Sequence, residues 1–217
     1  MNGLVPVGRY VRDLRADRDR LIENALDWEH LPHLHSGSFT SIKLVRADAA
    51  GWEAEAALEG GEAIAIELRL DQRGWVTRTR HGGRLASEIR TLAEATGPET
   101  SRVTVDFLVA GVSEPRREAV GDFYLRLYER LYDEDERMMM AHARLLRDGR
   151  PTGTRTVTLA DGSTHAVPLA CPHRGLPLEG EPDADGIVTC PWHGYRYDVR
   201  SGRCRPGPSA IQPSRSA

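Results

Sequence analysis

Two short loops near the C-terminus constrain this chain more than any other feature of its sequence. The loop at 171–175 reads Cys-Pro-His-Arg-Gly, and the loop at 190–194 reads Cys-Pro-Trp-His-Gly. Each loop offers one thiolate and one imidazole, and both groups are common metal ligands. A structural zinc site of the Cys2His2 type pairs Cys with Cys and then His with His, whereas the two residue types alternate here. The loops are therefore expected to close together on one metal centre.

A [2Fe–2S] cluster of the Rieske type needs this arrangement, because two Cys hold one iron and two His hold the other. The predicted ligands are Cys171, His173, Cys190 and His193. Neutral imidazoles replace two anionic thiolates, so this cluster accepts an electron more easily than a four-Cys cluster. The two loops closely resemble the cluster-binding loops of the Rieske family. Residues 149–217 are accordingly interpreted as a small all-β Rieske domain.

The loops resemble the low-potential, oxygenase-associated type of Rieske protein more than the type found in respiratory complexes. The respiratory type has an extra Cys in each loop and a Ser after the second His-Gly, where this chain has Leu176, Trp192 and Tyr195. The missing serine hydroxyl removes one hydrogen bond that stabilises the reduced cluster. Tyr195 and Tyr197 are expected beside the cluster as cofactor-binding residues outside the ligand set. Cys204 lies outside the motif and is interpreted as an ordinary thiol near the surface.

A second set of candidate ligands lies near the N-terminus. Asp27 and His30 share one helical face, and Pro32 is expected to break the helix so that His35 turns back toward the same metal. This segment resembles the mononuclear-iron motif of Rieske non-haem iron oxygenases, the aromatic-ring-hydroxylating family, at Asn24, Asp27, His30 and His35.

That resemblance implies a mononuclear Fe(II) bound by His30 and His35. Iron that binds O2 commonly uses two His and one carboxylate, which leaves the opposite face open. In the family the carboxylate comes from the closing helix, where this chain has an acidic run. Asp135 is the best candidate, and Glu134 or Asp133 would serve if the register differs.

The resemblance also assigns a catalytic function to Asp27, with Asn24 as the first residue of the motif. In the family this Asp is not a ligand but bridges an iron-bound His to a Rieske His across a subunit boundary. Asp27 is therefore expected to lie near His30 on one side, and near His173 or His193 of a neighbouring chain on the other. Such carboxylate–imidazole contacts also fix the tautomer of the imidazole.

The rest of the sequence predicts an α+β domain over residues 1–148. Apolar residues at helical spacing predict an opening helix from about Tyr10. Strands are predicted at 38–47, 51–58, 63–70, 74–80, 85–95 and 103–110, followed by a long amphipathic helix over 114–147. An antiparallel sheet around a long C-terminal helix is typical of the helix-grip, START/SRPBCC-like ligand-binding fold, and it can enclose a pocket. The resulting domain order is the reverse of that in the family's α subunits.

The amino-acid composition limits the classes of binding partner and the location to be expected. The 29 basic and 32 acidic residues nearly balance, which argues against nucleic acid or an acidic membrane surface as a partner. No apolar run fits a signal peptide or a membrane span, so a cytoplasmic location is expected. Three cysteines in that compartment favour metal binding over disulfides. Arg supplies nearly all the basic charge, which suggests a GC-rich bacterial genome.

These observations predict a Rieske-type oxygenase. A ferredoxin or flavin reductase would reduce the [2Fe–2S] cluster, and the mononuclear iron would use O2 to hydroxylate a small hydrophobic or aromatic substrate. The choice between mono- and dioxygenation stays open. The resemblance also implies a homo-oligomer, a trimer by analogy. The alternative is a ferredoxin-like Rieske electron carrier fused to a ligand-binding domain without mononuclear iron.

Overall fold

The computed structural model describes residues 3–207. Within that range the largest element is an antiparallel sheet of seven strands in the order β1-β7-β6-β5-β4-β3-β2. The strands are β1 (Leu4–Leu14), β2 (Phe39–Asp48), β3 (Gly51–Leu58), β4 (Ala63–Leu70), β5 (Gly74–His81), β6 (Arg84–Gly97) and β7 (Thr100–Ala110). Six of them follow one another as hairpins close to the predicted bounds, and β1 adds to the free edge of β7.

The prediction of an opening helix from Tyr10 is wrong. The chain is extended up to Leu14, where β1 pairs with β7, and helix α1 (Arg18–Leu26) begins only after Asp17. Asp17 accepts a hydrogen bond from the backbone N–H of Arg20, as expected of a helix N-cap. The edge of β7 needs a hydrogen-bonding partner, and this tertiary demand outweighs the local helical spacing.

The long closing helix is confirmed. Helix α3 (Arg117–Asp148) follows a 3-10 turn at Glu114–Arg116 and packs on the sheet. Gly121 of α3 lies against the backbone carbonyl of Val7, and a Cβ at this position would overlap that oxygen. The core between sheet and helices contains Leu14, Leu21, Trp52, Ile66, Val105, Phe107, Tyr132 and Met139.

The C-terminal part is a small β domain with its own core. Its strands are β8 (Thr154–Thr158), β9 (Thr164–Pro168), β10 (Ile187–Thr189), β11 (Arg196–Asp198) and β12 (Cys204–Arg205). β8 and β9 form a hairpin, and the other three form a second small sheet. Its core contains Val157, Val167, Val188, Trp192 and Val199, together with Met138 from α3.

The α+β architecture is thus as predicted: a sheet closed by a long helix, then a small β domain. The segment 149–153 joins the end of α3 to the start of β8. Helix α3 contributes Met139 to the first core and Met138 to the second. The division of the chain after residue 148 stays a prediction. Among the residues described, no helix is both long enough and apolar enough to cross a membrane.

Candidate metal centres

The two C-terminal loops have the same backbone turn. In the first, the N–H of Gly175 donates to the carbonyl of Cys171 at 2.9 Å. In the second, the N–H of Gly194 donates to the carbonyl of Cys190 at 3.0 Å. Both glycines have positive φ angles, of 79° and 66°, which non-glycine residues rarely adopt. The backbone therefore holds the Cys and the His in an equivalent way in the two loops.

The four predicted cluster ligands come together between these turns. Cys171 and Cys190 are buried and form no disulfide. The pKa of the Cys171 thiol is lowered to about 6 by a hydrogen bond with Cys190, despite the opposing effect of burial, and backbone N–H groups of the loop also contribute. The rings of His173 and His193 lie edge to face with centroids 5.1 Å apart.

The chemistry of these residues fits a [2Fe–2S] cluster. The thiolate is the form of Cys that binds a metal, and the turn stabilises it at Cys171. Nδ1 of His173 is buried and has no hydrogen-bond partner among the described residues. A buried polar atom without a partner is rare, and it is expected where a metal is the missing partner.

The two tyrosines predicted near the cluster have different surroundings. Tyr195 stacks on His173, with ring centroids 3.8 Å apart and planes at 12°. Tyr197 lies in the core of the small domain, where it is opposite Cys204 in the β11–β12 pair. Cys204 is half-buried, and burial and the neighbouring Cys171 raise its pKa to about 11. It is therefore closer to the candidate cluster site than a surface thiol would be.

Two of the four N-terminal motif residues, His30 and His35, surround a second site together with Asp135 of α3. His30, His35 and Asp135 each direct one donor atom to a common point, and these atoms all lie within 4.8 Å of one another. Oδ1 of Asp135 is 3.1 Å from Nε2 of His35 and 3.5 Å from Nε2 of His30. This oxygen is buried, yet it makes no hydrogen bond within the described chain. The set fits the two-His, one-carboxylate arrangement of non-haem Fe(II) sites.

The local structure that turns the two His together differs from the prediction. Helix α1 ends at Leu26, and a 3-10 turn over Trp28–His30 carries His30 inward. Pro32 does not break a helix: it lies in the first turn of α2 (Leu31–Leu34), where its missing N–H costs nothing. His35 then follows the end of α2.

The acidic run on α3 separates into three different positions. Asp135 faces the candidate site, whereas Glu134 approaches the other ring nitrogen of His35, with Oε2 2.6 Å from Nδ1. Asp133 pairs with Arg12, and its side chain is 62% exposed. Geometry thus favours Asp135 over its two neighbours, and its assignment as a ligand stays a prediction.

The charges at this site suit a cation. Burial lowers the pKa of His30 to about 4, which keeps the imidazole neutral and able to bind a metal at neutral pH. Burial raises the pKa of Asp135, but the neighbouring His35 outweighs this effect, and the pKa falls below its usual range. Asn24, expected to be catalytic, lines the same cavity wall as this carboxylate.

Asp27 lies between the two candidate centres. Nε2 of His193 donates to its Oδ2 at 2.8 Å, and Arg174 donates to the same oxygen at 2.6 Å. Burial acts to raise the pKa of Asp27, but the hydrogen bond from His193 and the charge of Arg174 outweigh it, and the pKa is about 2. In this structure the contact is with His193 of the same chain, and the expected contact across a subunit boundary stays a prediction. The short segment after α3 brings the small domain back to the end of α1.

A second carboxylate contact was not predicted. Oε2 of Glu29 lies 3.8 Å from Nε2 of His173, and Arg174 donates to the same oxygen at 3.2 Å. Arg174 therefore binds both carboxylates that face the Rieske histidines. Glu29 and Arg174 lie within the two motif segments, but neither motif specifies these positions. Only the presence of a charged residue next to a predicted ligand could have indicated these contacts from the sequence.

A cavity of about 320 Å³ between the sheet and α3 ends at the second site. His30, His35 and Asp135 form part of its wall. Most of the remaining wall is apolar and includes Leu21, Phe39, Trp52, Ile64, Ile66, Trp75, Ile89, Leu127 and Leu131. Ligand pockets of about this size are usual in proteins. The cavity is therefore a candidate substrate pocket next to a candidate metal site.

Comparison with protein-family models matches residues 136–213 to the Rieske [2Fe-2S] domain. The C-terminal part of this chain is a Rieske domain. The domain implies a [2Fe–2S] cluster, and it supports an electron-transfer function and an oxidoreductase. A comparison with curated protein sequences found no match.

Solved structures agree with the predicted START-like fold of the N-terminal part. A START superfamily protein from Mycobacterium smegmatis, 13% identical, aligns over 64% of this chain and 97% of its own length with a TM-score of 0.51. The Zhui aromatase/cyclase from Streptomyces sp. R1128, 12% identical, aligns over 66% and 96% with a TM-score of 0.47. The quaternary ammonium Rieske monooxygenase CntA, 12% identical, aligns over 80% of this chain and 45% of its own length with a TM-score of 0.48.

Contact between the small domain and the N-terminal motif predicts the effect of one glycine. A Cβ at Gly194 would overlap the ring of His33, and this residue also has a positive φ angle. Gly194→Ala is expected to lower the free energy of unfolding in urea by about 1–3 kcal/mol beyond the cost of the φ angle alone. Gly202→Ala is the matched control, because Gly202 has a φ of 70° and a Cβ there would lie at an ordinary contact distance, 3.7 Å, from the Tyr197 hydroxyl.

The pair His33→Ala and Gly194→Ala separates the steric overlap from backbone strain. Removing the His33 ring should restore the part of the unfolding free energy that the overlap costs. The double variant should therefore lose about as much unfolding free energy relative to His33→Ala as Gly202→Ala loses relative to the wild type. An equal loss in Gly194→Ala with and without His33 contradicts the contact.

Proposed function

We propose that this chain is a Rieske-type non-haem iron oxygenase that hydroxylates a small hydrophobic substrate. One observation carries the proposal: Asp27 contacts His193, a predicted ligand of the Rieske cluster, at 2.8 Å and also lines the cavity wall that contains His30, His35 and Asp135. A carrier that only passes electrons to another protein has no use for a second set of buried ligands beside a cavity. The alternative, a Rieske carrier without mononuclear iron, is separated from this proposal by its iron content.

The residues of the chain would hold two groups. Cys171, His173, Cys190 and His193 would bind the [2Fe–2S] cluster, and His30, His35 and Asp135 would bind Fe(II). When bound, the cluster supplies single electrons and the iron supplies activation of O2. A ferredoxin or a flavin reductase would be the electron donor.

Asp27 orients His193. Its carboxylate accepts the Nε2–H of His193, which leaves Nδ1 of the ring free to bind a metal. With a pKa of about 2 the carboxylate stays ionised at neutral pH. Arg174 offsets that charge by binding Asp27 and Glu29 together, so the two carboxylates lie beside the histidines without repelling each other strongly.

Glu134 has the corresponding effect on His35. Its carboxylate lies at Nδ1, and a proton held there leaves Nε2, the atom nearest Asp135, as the metal-binding nitrogen. Asn24 of α1 lines the same cavity wall as Asp135. The apolar wall of the cavity excludes water and orients the substrate next to these ligands.

The iron content tests the proposal first. Wild-type protein purified anaerobically and supplied with Fe(II) should contain three irons per chain, two of which are accounted for by a Rieske EPR signal after reduction. Asp135→Asn should lose the third iron and keep the signal, whereas Asp133→Asn, on the exposed side of α3, should keep all three. Two irons in the wild type, with none regained from Fe(II), favour the electron carrier.

Asp27→Asn tests the function of Asp27 between the two centres separately from metal binding. The amide keeps the volume but loses the charge, so both metals should remain while O2-dependent reoxidation of the prereduced cluster slows about 10- to 100-fold. Asp19→Asn, at an exposed position of α1, is the control with unchanged rate. Loss of either metal in Asp27→Asn assigns this residue to metal binding instead.

The contact of Asp27 with His193 of its own chain predicts that a single chain is sufficient. His30→Ala keeps the cluster without iron, and Cys171→Ser keeps the iron site without the cluster. When the two variants are produced together in one cell, the mixture should reoxidise no faster than His30→Ala alone. Recovery of a sizeable part of the wild-type rate indicates instead the inter-chain route that the family resemblance implies.

A further inference from the structure

The charges around the cavity exclude one class of ligand. None of the described residues that line it is Lys or Arg, and its two carboxylates, Asp27 and Asp135, lie at the metal end. His81 lines the other end and pairs with Glu62 at 2.8 Å. Away from the metal end, a carboxylate or sulfonate on a ligand would therefore lose its hydration without gaining a cation, which is strongly unfavourable in an apolar cavity.

Three tyrosines of α3 face this cavity, spaced four residues apart. Tyr124, Tyr128 and Tyr132 therefore form a row along one face of the helix. Ser87 acts to lower the pKa of the Tyr124 phenol, and Thr91 acts likewise on that of Tyr132.

Tyr128, in the middle of the row, has no Ser or Thr that acts on its pKa in this way. Burial raises its pKa, and no hydrogen bond to a described residue offsets that effect. Its ring is held edge-on by Phe107, with centroids 4.8 Å apart. The side chain is enclosed by protein yet retains accessible surface, and that surface belongs to the wall of the cavity. A phenol that is enclosed by protein and faces a cavity can form a hydrogen bond with a ligand in that cavity.

We infer that Tyr128 positions the substrate by a hydrogen bond to a neutral oxygen, a hydroxyl or carbonyl, on an otherwise apolar ring compound. Tyr128 and Asp135 are seven positions apart on α3, about 10 Å along the helix axis. The oxygen thus lies roughly a two-ring length from the carbon nearest the metal site. Only this last statement, that the reacting carbon is at the Asp135 end, rests on the proposed oxygenase function.

Three probes of equal ring size test the inference without requiring turnover. Equilibrium dialysis of the cluster-loaded protein at pH 7 would measure naphthalene, neutral 2-naphthol and anionic 2-naphthoate. A hydrogen bond between neutral groups should make 2-naphthol bind about 3- to 10-fold more tightly than naphthalene. Binding of 2-naphthoate should be at least about 10-fold weaker than that of 2-naphthol.

Tyr128→Phe should remove the preference. Affinity for 2-naphthol should fall about 3- to 10-fold to that of naphthalene, while naphthalene, which needs only the shape of the cavity, should bind as before. Tyr10→Phe is the matched control. Tyr10, in β1, stacks on Tyr132 of α3 but does not line the cavity, so the preference for 2-naphthol over naphthalene should persist.

Three results overturn the inference: no binding of 2-naphthol, equal affinity for 2-naphthoate, or a preference that survives Tyr128→Phe. Because dialysis needs neither O2 nor a third iron, these results are independent of the oxygenase proposal. A protein that lacks the third iron but loses its preference in Tyr128→Phe refutes the oxygenase and supports the binding site.

Discussion

Helix α3 packs into two hydrophobic cores at once, and this double packing holds the two candidate metal centres at a set distance from each other. Adjacent residues on a helix point about 100° apart, so Met139 can face the START-like core while Met138 faces the Rieske core. Three residues earlier the same helix presents Asp135 to the second candidate site. A shift of α3 along its axis would therefore move a candidate ligand and the whole Rieske domain together.

Two carboxylates between the centres share one cation. Asp27 and Glu29 face one Rieske His each, and Arg174 binds both carboxylates. A buried carboxylate without such partners would take up a proton, because its charged form is costly in an apolar surrounding. The pairing explains how so many carboxylates and imidazoles share one region, and why most face a partner of opposite charge or a hydrogen-bond donor.

Local patterns predicted the parts of the molecule that local patterns control. The six hairpin strands, the closing helix and the two ligand-bearing motifs each have a signal within about 35 residues, in turn residues, periodicity or ligand spacing. Strand β1 was missed because its partner β7 lies almost 100 residues away, and the edge of β7 decides its conformation. The choice of Asp135 among three acids, and the contacts of Glu29 and Arg174, likewise depend on packing between distant segments. The same-chain contact of Asp27 with His193 was not predicted, because domain order and linker length are not encoded in either motif.

The brevity of the segment 149–153 has a kinetic consequence. Five extended residues span at most about 18 Å, so the Rieske domain cannot travel far from the helix that precedes it. A tether this short gives the domain an effective concentration near its own Asp27 on the order of millimolar. If the contact opened, reclosure on the same chain would outcompete capture by a second chain at any lower protein concentration. Exchange of domains between molecules would therefore be rare in dilute solution and would increase only where the protein is highly concentrated.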